Sequence, residues 1–228
     1  MLTVNEIDIS RRDNRGRTVL SWAAEKGALN AINILLKSQR SEIDALLEDA
    51  GDISYGRSPL GYAAFYGHAK VVEAFCKTRK ADAQLASVDK KGQNAVVLAA
   101  DRNNWEVIHV LAKYYPEGLD VPDQDGRTPL SAAMWADDNE NNAKTIRTLV
   151  EIGVDVNKRS INGRTPLSYA ASAGRVNMIR ILVEEGNANM DIADNEGVLP
   201  EDYGVEGYNQ KVKDEFRRLR AARPATKA

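Results

Sequence analysis

Two histidines, one cysteine and adjacent acidic pairs such as Asp137-Asp138 and Glu184-Glu185 are the side chains with which this chain could bind a metal or move a proton. His68 and His109 have no cysteine, second histidine or paired carboxylate at a ligating spacing, so no metal site is expected. Asp137-Asp138 and Glu184-Glu185 read as solvated faces rather than an acid–base dyad. Cys76 stands alone, which excludes an internal disulfide and reads as a small buried hydrophobe in a reducing compartment. The nucleophile motif Gly-x-Ser-x-Gly, the phosphate loop ending in Gly-Lys-Ser/Thr and the dinucleotide-binding glycine pattern do not occur. Neither catalysis nor a cofactor is expected.

The chemistry that does recur is that of recognition. Arg17, Arg57, Gln93, Arg127 and Arg164 each follow a glycine. With one exception this is a ladder of cations, able to receive an acidic or phosphorylated peptide. The competing reading is internal pairing with aspartates such as Asp89, Asp123 and Asp125. A formal charge of −2 and a pI near 5.8 lack the basic excess of a nucleic-acid binder. No stretch approaches the ~20 apolar residues of a membrane span. The opening Met1-Leu2-Thr3-Val4-Asn5-Glu6 has neither the basic start nor the apolar run of a secretory signal. A cytoplasmic location is expected, with the nucleus as the alternative.

The elements that must position these residues come from an internal repeat. A turn with glycine, then a polar residue, then Thr-Pro-Leu or a relative, then alanines, appears as Gly16-Arg17-Thr18-Val19-Leu20, Gly56-Arg57-Ser58-Pro59-Leu60, Gly126-Arg127-Thr128-Pro129-Leu130 and Gly163-Arg164-Thr165-Pro166-Leu167. Weaker copies are Gly92-Gln93-Asn94-Ala95-Val96 and Gly197-Val198-Leu199-Pro200. The turn glycines are 40, 36, 34, 37 and 34 residues apart. Glycine supplies a positive backbone angle, Thr or Ser caps the coming helix, and Pro fits a first turn that needs no amide donor. A second apolar helix follows each time, for example Val71-Val72-Glu73-Ala74-Phe75 and Val107-Ile108-His109-Val110-Leu111. Helices this short are marginal alone, so stability must come from stacking of neighbours. The low aromatic content, 6%, agrees with closely packed short helices.

In register, these features resemble the ankyrin-repeat family. The resemblance implies an all-α repeat solenoid: in each repeat a β-hairpin finger precedes two antiparallel helices, and fingers and first helices line a concave side. About five full repeats and a degenerate capping repeat are expected. The divisions are 1–12, the end of a preceding or degenerate repeat; 13–208, the repeat domain; 209–223, a capping helix; and 224–228, a disordered tail. The usual histidine after Pro-Leu is replaced by Ser21, Gly61, Val97, Ser131 and Ser168, which weakens its link to the finger. The long linker after the first repeat has room for an extra helical turn at Ile43-Asp44-Ala45-Leu46-Leu47. An acidic insert, Asp137-Asp138-Asn139-Glu140, separates the helices of the fourth repeat. In the last helix, Val212, Phe216 and Leu219 share a face and basic residues fill the others.

Asn5-Glu6-Ile7-Asp8-Ile9-Ser10 looks like the closing strand of an earlier finger, which suggests the C-terminal piece of a longer protein. Gly16 to Gly27 resembles repeats common in filamentous-fungal proteins, some of which follow a nucleotide-binding switch domain. That resemblance implies a sensor arm.

Carried over residue by residue, the family's partner-reading positions are the finger tips and the pair after the alanines. The expected partner-binding residues are Tyr55, Arg57, Phe65, Tyr66, Lys90, Lys91, Asp101, Arg102, Gln124, Arg127 and Trp135. Tyr55, Phe65, Tyr66 and Trp135 bring aromatics to these positions, a composition typical of interface hot spots. The alternative is that Phe65 and Trp135 pack against adjacent helices, as Trp22 is expected to do. The expected function is a scaffold or adaptor that holds a partner protein or peptide. A spacer without a tight ligand, or a binder of acidic peptide or nucleic acid through the arginines, are the alternatives. A monomer is expected, with stacking of an uncapped first repeat on a second copy as the variant.

Overall fold

The computed structural model describes residues 8–38, 41–47, 51–136, 139–203 and 209–222, which fall into two compact units, residues 1–118 and 119–228. The expected finger strand at Asn5 to Ile7, the insert residues Asp137 and Asp138, and the tail lie outside the described residues.

In the first unit, α1 (Val19–Glu25), α4 (Pro59–Phe65) and α7 (Ala95–Asp101) are the first helices of three successive repeats. Their partners are α2 (Leu29–Lys37), α5 (Ala69–Cys76) and α8 (Trp105–Tyr114). First helices pack on first helices and second on second, α1 on α4 on α7 and α2 on α5 on α8. The caps are those expected from sequence: the side chains of Thr18, Ser58 and Asn94 accept from the amides of Ser21, Gly61 and Val97. The alanine pairs Ala63-Ala64 and Ala99-Ala100 are fully enclosed, and Ile32, Phe75, Ile108 and Leu111 fill the space between the second helices. Each large apolar side chain hidden this way contributes about 1.5–3 kcal/mol. Cys76 is buried and free, and burial pushes its thiol up to about 11.

Two helices occupy the links between repeats. The expected turn in the first linker is α3 (Ser41–Leu47), held by buried Ile43, Leu46 and Leu47. Unanticipated is α6 (Ala81–Leu85), which buries Gln84. Gln84 accepts from the amide of Leu60 at 3.0 Å and donates to the carbonyl of Leu47. A further turn, Pro116–Gly118, presents the Gly118 carbonyl to the Asn94 side chain at 2.9 Å.

The second unit begins with α9 (Pro129–Ala133) and α10 (Glu140–Ile152), then α11 (Pro166–Ser172) and α12 (Val176–Arg180), which widens into a π-helical turn, Ile181–Glu185. A short turn, Pro200–Tyr203, packs on α11, and α13 (Asn209–Ala222) closes on α12 and on that turn. Val212, Phe216 and Leu219 of α13 are buried, as their spacing predicts. Its arginines are held by carboxylates within the unit: Arg218 by Glu184 and Glu215, and Arg220 by Asp191. Ser131 and Ser168 take over part of the role of the replaced histidine, with hydroxyls 3.3 and 3.2 Å from those of the capping Thr128 and Thr165.

Candidate protein-binding surface

The fingers are tight turns; among the described residues no strand forms. Five of the six turns are organised by an aspartate at their start. Asp13 accepts through Oδ1 from the amides of Arg15 and Arg17, at 2.8 and 2.9 Å. Asp89, Asp123 and Asp194 repeat this with the amides two and four residues on. Asp52 does so across one more residue, accepting from Ser54, Tyr55 and Arg57. Glycine follows where the backbone turns left-handed, as at Gly126 (φ 74°). Successive fingers in the first unit are joined by Ile53 N–H to the Arg15 carbonyl at 2.9 Å and Lys90 N–H to the Tyr55 carbonyl at 2.8 Å.

In two fingers the turn aspartate also fixes the arginine after the glycine. Arg17 Nε donates to Asp13 at 2.8 Å, and its far end meets Glu25 at 2.5 Å. Arg127 Nε and Nη2 both reach Asp123, at 3.0 and 2.8 Å, and Asp125 lies 3.2 Å away. Arg57 stands 3.8 Å from Asp89. Gln93 is buried. Most of the ladder is therefore engaged internally, as the competing sequence reading holds.

Aromatic side chains at the expected partner-reading positions gather into a group in each unit. In the first, the Phe65 ring lies between the guanidinium groups of Arg57 and Arg102, 3.8 and 4.7 Å from its centroid. Tyr66 meets Phe65 edge-on at 5.1 Å, and Arg57 also lies 4.8 Å from the Tyr55 ring. Phe65 is half-buried, whereas Tyr55 and Tyr66 are 53% and 47% exposed. In the second unit Trp135 is 51% exposed and touches Tyr169 edge-on at 6.1 Å. Trp135, Tyr169, Ile161, Arg127 and Arg164 border a shallow concavity of about 270 Å³.

A model of ankyrin repeats in three copies matches residues 1–87, 81–160 and 133–213, which leaves little of the chain outside it. The chain belongs to the ankyrin-repeat family. Inversin of Canis lupus familiaris is 33% identical over 193 residues, covering 82% of this chain and 17% of that protein, so the chain spans only about a sixth of that relative. The probable 26S proteasome regulatory subunit p28 of Saccharomyces cerevisiae is 26% identical over 208 residues, 90% of this chain and 85% of that one. Among solved structures, the ankyrin repeat domain of Bcl-3 matches with a TM-score of 0.72 at 21% identity, covering 93% of this chain and 87% of that one, a likeness of fold. Family membership supports a role in protein interaction in general terms.

Within this ankyrin-repeat chain, the residues expected from sequence to read a partner are placed as follows. Tyr55, Phe65 and Tyr66 group with Arg57 and Arg102, while Arg127 and Trp135 border the concavity of the second unit. Lys90 and Lys91 are exposed on the third finger, Lys90 Nζ donating to the Ile53 carbonyl at 2.5 Å. Gln124 is exposed and Asp101 half-buried. Trp22 corrects the expectation: it is 41% exposed, although its counterparts Tyr62, Leu98, Ala132 and Tyr169 are buried. Its indole N–H donates to Asp13 at 3.0 Å and Arg17 stacks on its ring at 4.0 Å, so the polar edge draws it to the finger. Ile161, a finger-tip position by sequence, is exposed as such a position implies, whereas sequence reasoning passed over Tyr169 and Tyr203 as arginine platforms, because that signal depends on which side chains meet between repeats. Between the helix pairs, His68 Nε2 lies 2.9 Å from the Glu25 carbonyl. No described helix is long and apolar enough to cross a membrane.

Proposed function

We propose that this chain is a protein-interaction scaffold whose fingers and first helices hold a partner protein or peptide, with Tyr55, Phe65, Tyr66, Arg102 and Trp135 as the anchoring side chains. The observation that carries the reading is the exposure of Tyr55, Tyr66 and Trp135 in a chain with so few aromatics. Within the first unit stacked guanidinium groups and a ring edge hold Tyr55, Phe65 and Tyr66, and within the second the edge of Tyr169 holds Trp135, so ordering each group on binding costs little entropy. Rigid aromatic surface beside arginine is the composition of interface hot spots. Exposed Lys91 and Gln124 supply polar rim contacts. The pairing of Arg17 with Asp13 and of Arg127 with Asp123 argues against a continuous cationic track for nucleic acid. As one arm of a larger regulator, the same surface would serve as the sensor. The test is capture of partners by the wild-type chain beside Tyr66→Ala and Trp135→Ala. Each variant should keep the wild-type melting temperature and lose tenfold or more in affinity. Equal capture by all three would leave the spacer reading standing instead.

A further inference from the structure

Arg17 and Arg127 are bonded by the aspartate that starts their own finger and Arg57 lies 3.8 Å from Asp89 of the next, whereas Arg164 has no carboxylate at ion-pair distance among the described residues. The fifth finger starts with Ser160 where the remaining fingers have Asp13, Asp52, Asp89, Asp123 and Asp194. Its backbone is the same: Ser160 N–H donates to the Arg164 carbonyl at 2.9 Å and Gly163 N–H to Ser160 at 2.8 Å, matching 2.9 and 2.9 Å in the Asp123 finger. What differs is the side chain. The Ser160 hydroxyl is buried without a hydrogen-bond partner, and so is Arg164 Nε, a state that Arg57 Nε shares; Arg57 has Asp89 at 3.8 Å beside it. The guanidinium of Arg164 makes no ion pair among the described residues, and its bond to the Ser168 carbonyl is long, 3.3 Å. Asp194 attracts Arg164 through space but makes no ion pair with it, its oxygens being engaged by the Tyr203 hydroxyl and the amides of Glu196 and Val198.

Arg164 is nonetheless held in place. It stacks on Tyr169 at 4.5 Å and on Tyr203 at 4.1 Å. The concavity it borders has Trp135 and Ile161 exposed on its rim, Ile161 at 66%. A positioned cation with spare donors beside open apolar surface is complementary to a carboxylate with an apolar neighbour.

We propose that this concavity is a socket for an acidic segment of a partner protein, in which one Asp or Glu carboxylate engages Arg164 and an adjacent apolar side chain packs on Trp135 and Ile161. The proposal rests on the scaffold reading and names the partner's chemistry at one of its sites. Asp125 stands at the rim, so a single carboxylate in an apolar context is preferred to a run of acidic residues or to a phosphate dianion.

The decisive variant is Ser160→Asp. It supplies the missing carboxylate from the position that holds Arg127 and Arg17 in their own fingers, so Arg164 becomes internally paired and the chain is at least as stable as before. The full chain is immobilised and panned with a displayed library of random dodecapeptides. Selected peptides are then measured by fluorescence anisotropy together with their Gln and phosphoserine counterparts. The expected result is selection of Asp or Glu next to Leu, Ile or an aromatic residue. The affinity of the selected peptides should fall tenfold or more in Ser160→Asp, Arg164→Met and the Gln counterpart, and by less than that for a phosphoserine replacement. Peptides that bind Ser160→Asp as well as wild type, selection without acidic residues, stronger binding of the phosphoserine form, or no selection at all would each overturn the proposal. If Trp135→Ala weakens partner capture while Ser160→Asp does not, the scaffold reading survives and the socket fails.

Discussion

The indole N–H of Trp22 donates to Oδ2 of Asp13 at 3.0 Å, the same oxygen that Arg17 Nε reaches at 2.8 Å. The other carboxylate oxygen accepts from the amides of Arg15 and Arg17. One aspartate thus ties the backbone of its finger, the arginine after the glycine and an aromatic of the first helix. Asp194 likewise joins its finger backbone to Tyr203, and Asp52 its own to Tyr62, though neither holds an arginine side chain of its own finger.

Acid should loosen the fingers. Burial alone would raise the Asp52 carboxyl, but the amides of Tyr55 and Arg57 and the Tyr62 hydroxyl outweigh it and hold it below the usual carboxylate range. Asp13 and Asp194 are depressed in the same direction by their own amide, Arg17 and Tyr203 partners. A folded pKa below the unfolded value, roughly 3.9 for Asp, gives stability that is complete above that value and lost as pH falls through the folded one. Melting temperatures measured from pH 7 to pH 2 should therefore drop steeply below about pH 4. Asp52→Asn should melt lower at pH 7 and show a shallower acid slope; a slope parallel to wild type would contradict the account.

Gln84 should matter far more than its place in an unrecognised linker helix suggests. It is buried and bonds one backbone amide and one backbone carbonyl, at Leu60 and Leu47. Removing it leaves both unpaired in a dry site, at about 1–3 kcal/mol each. Gln84→Ala should lower the urea midpoint by an amount equivalent to ~2 kcal/mol or more, with an unchanged slope. A loss below ~0.5 kcal/mol would show that water replaces the amide.

The sequence made the glycine turns, the caps at Thr18, Ser58, Thr128 and Thr165, and both helices of each repeat readable, because these depend on neighbours within a few residues. The helix at Ala81–Leu85 was not readable, since its polar stretch has no apolar periodicity and is fixed by the distant partners of Gln84. Trp22 was misread for a related reason. Its position is buried in the other repeats, and only the meeting with Asp13 shows that its N–H outweighs its bulk. Arg164 belonged visibly to the ladder, and Ser160 stands in the sequence where Asp123 does, yet that this aspartate is what holds the arginine emerges only from the contact between Asp123 and Arg127.

The serine that replaces the family's histidine should act with the cap and not independently of it. Thr165 Oγ1 accepts from the Ser168 amide at 3.3 Å and lies 3.2 Å from the Ser168 hydroxyl, both residues being enclosed. Thr165→Ala removes the cap, at about 1 kcal/mol with a range of 0.5–2. Ser168→Ala removes only the hydroxyl pair and should cost about half that. In a double-mutant cycle by urea unfolding, the two losses should be less than additive, because the Thr165→Ala variant has already broken the bond that Ser168 loses. Strict additivity would mean that the two hydroxyls do not interact.

Repeat-to-repeat coupling should tolerate exchange of its polar link. His68 and Asn104 occupy the same position before a second helix, and each reaches back to the preceding repeat: His68 to the Glu25 carbonyl at 2.9 Å, Asn104 Nδ2 to those of Ala64 and Phe65 at 2.8 and 2.9 Å. The common requirement is a donor that satisfies carbonyls left open at the end of a first helix. His68→Ala should therefore cost about 1–2 kcal/mol, and His68→Asn should recover at least half of it. Hydrogen exchange at the amides of α1 should speed up in His68→Ala and return toward wild type in His68→Asn, since nearest-neighbour contacts dominate the stability of a repeat array. If the asparagine variant is as unstable as the alanine one, ring packing rather than the carbonyl bond is what couples the first two repeats.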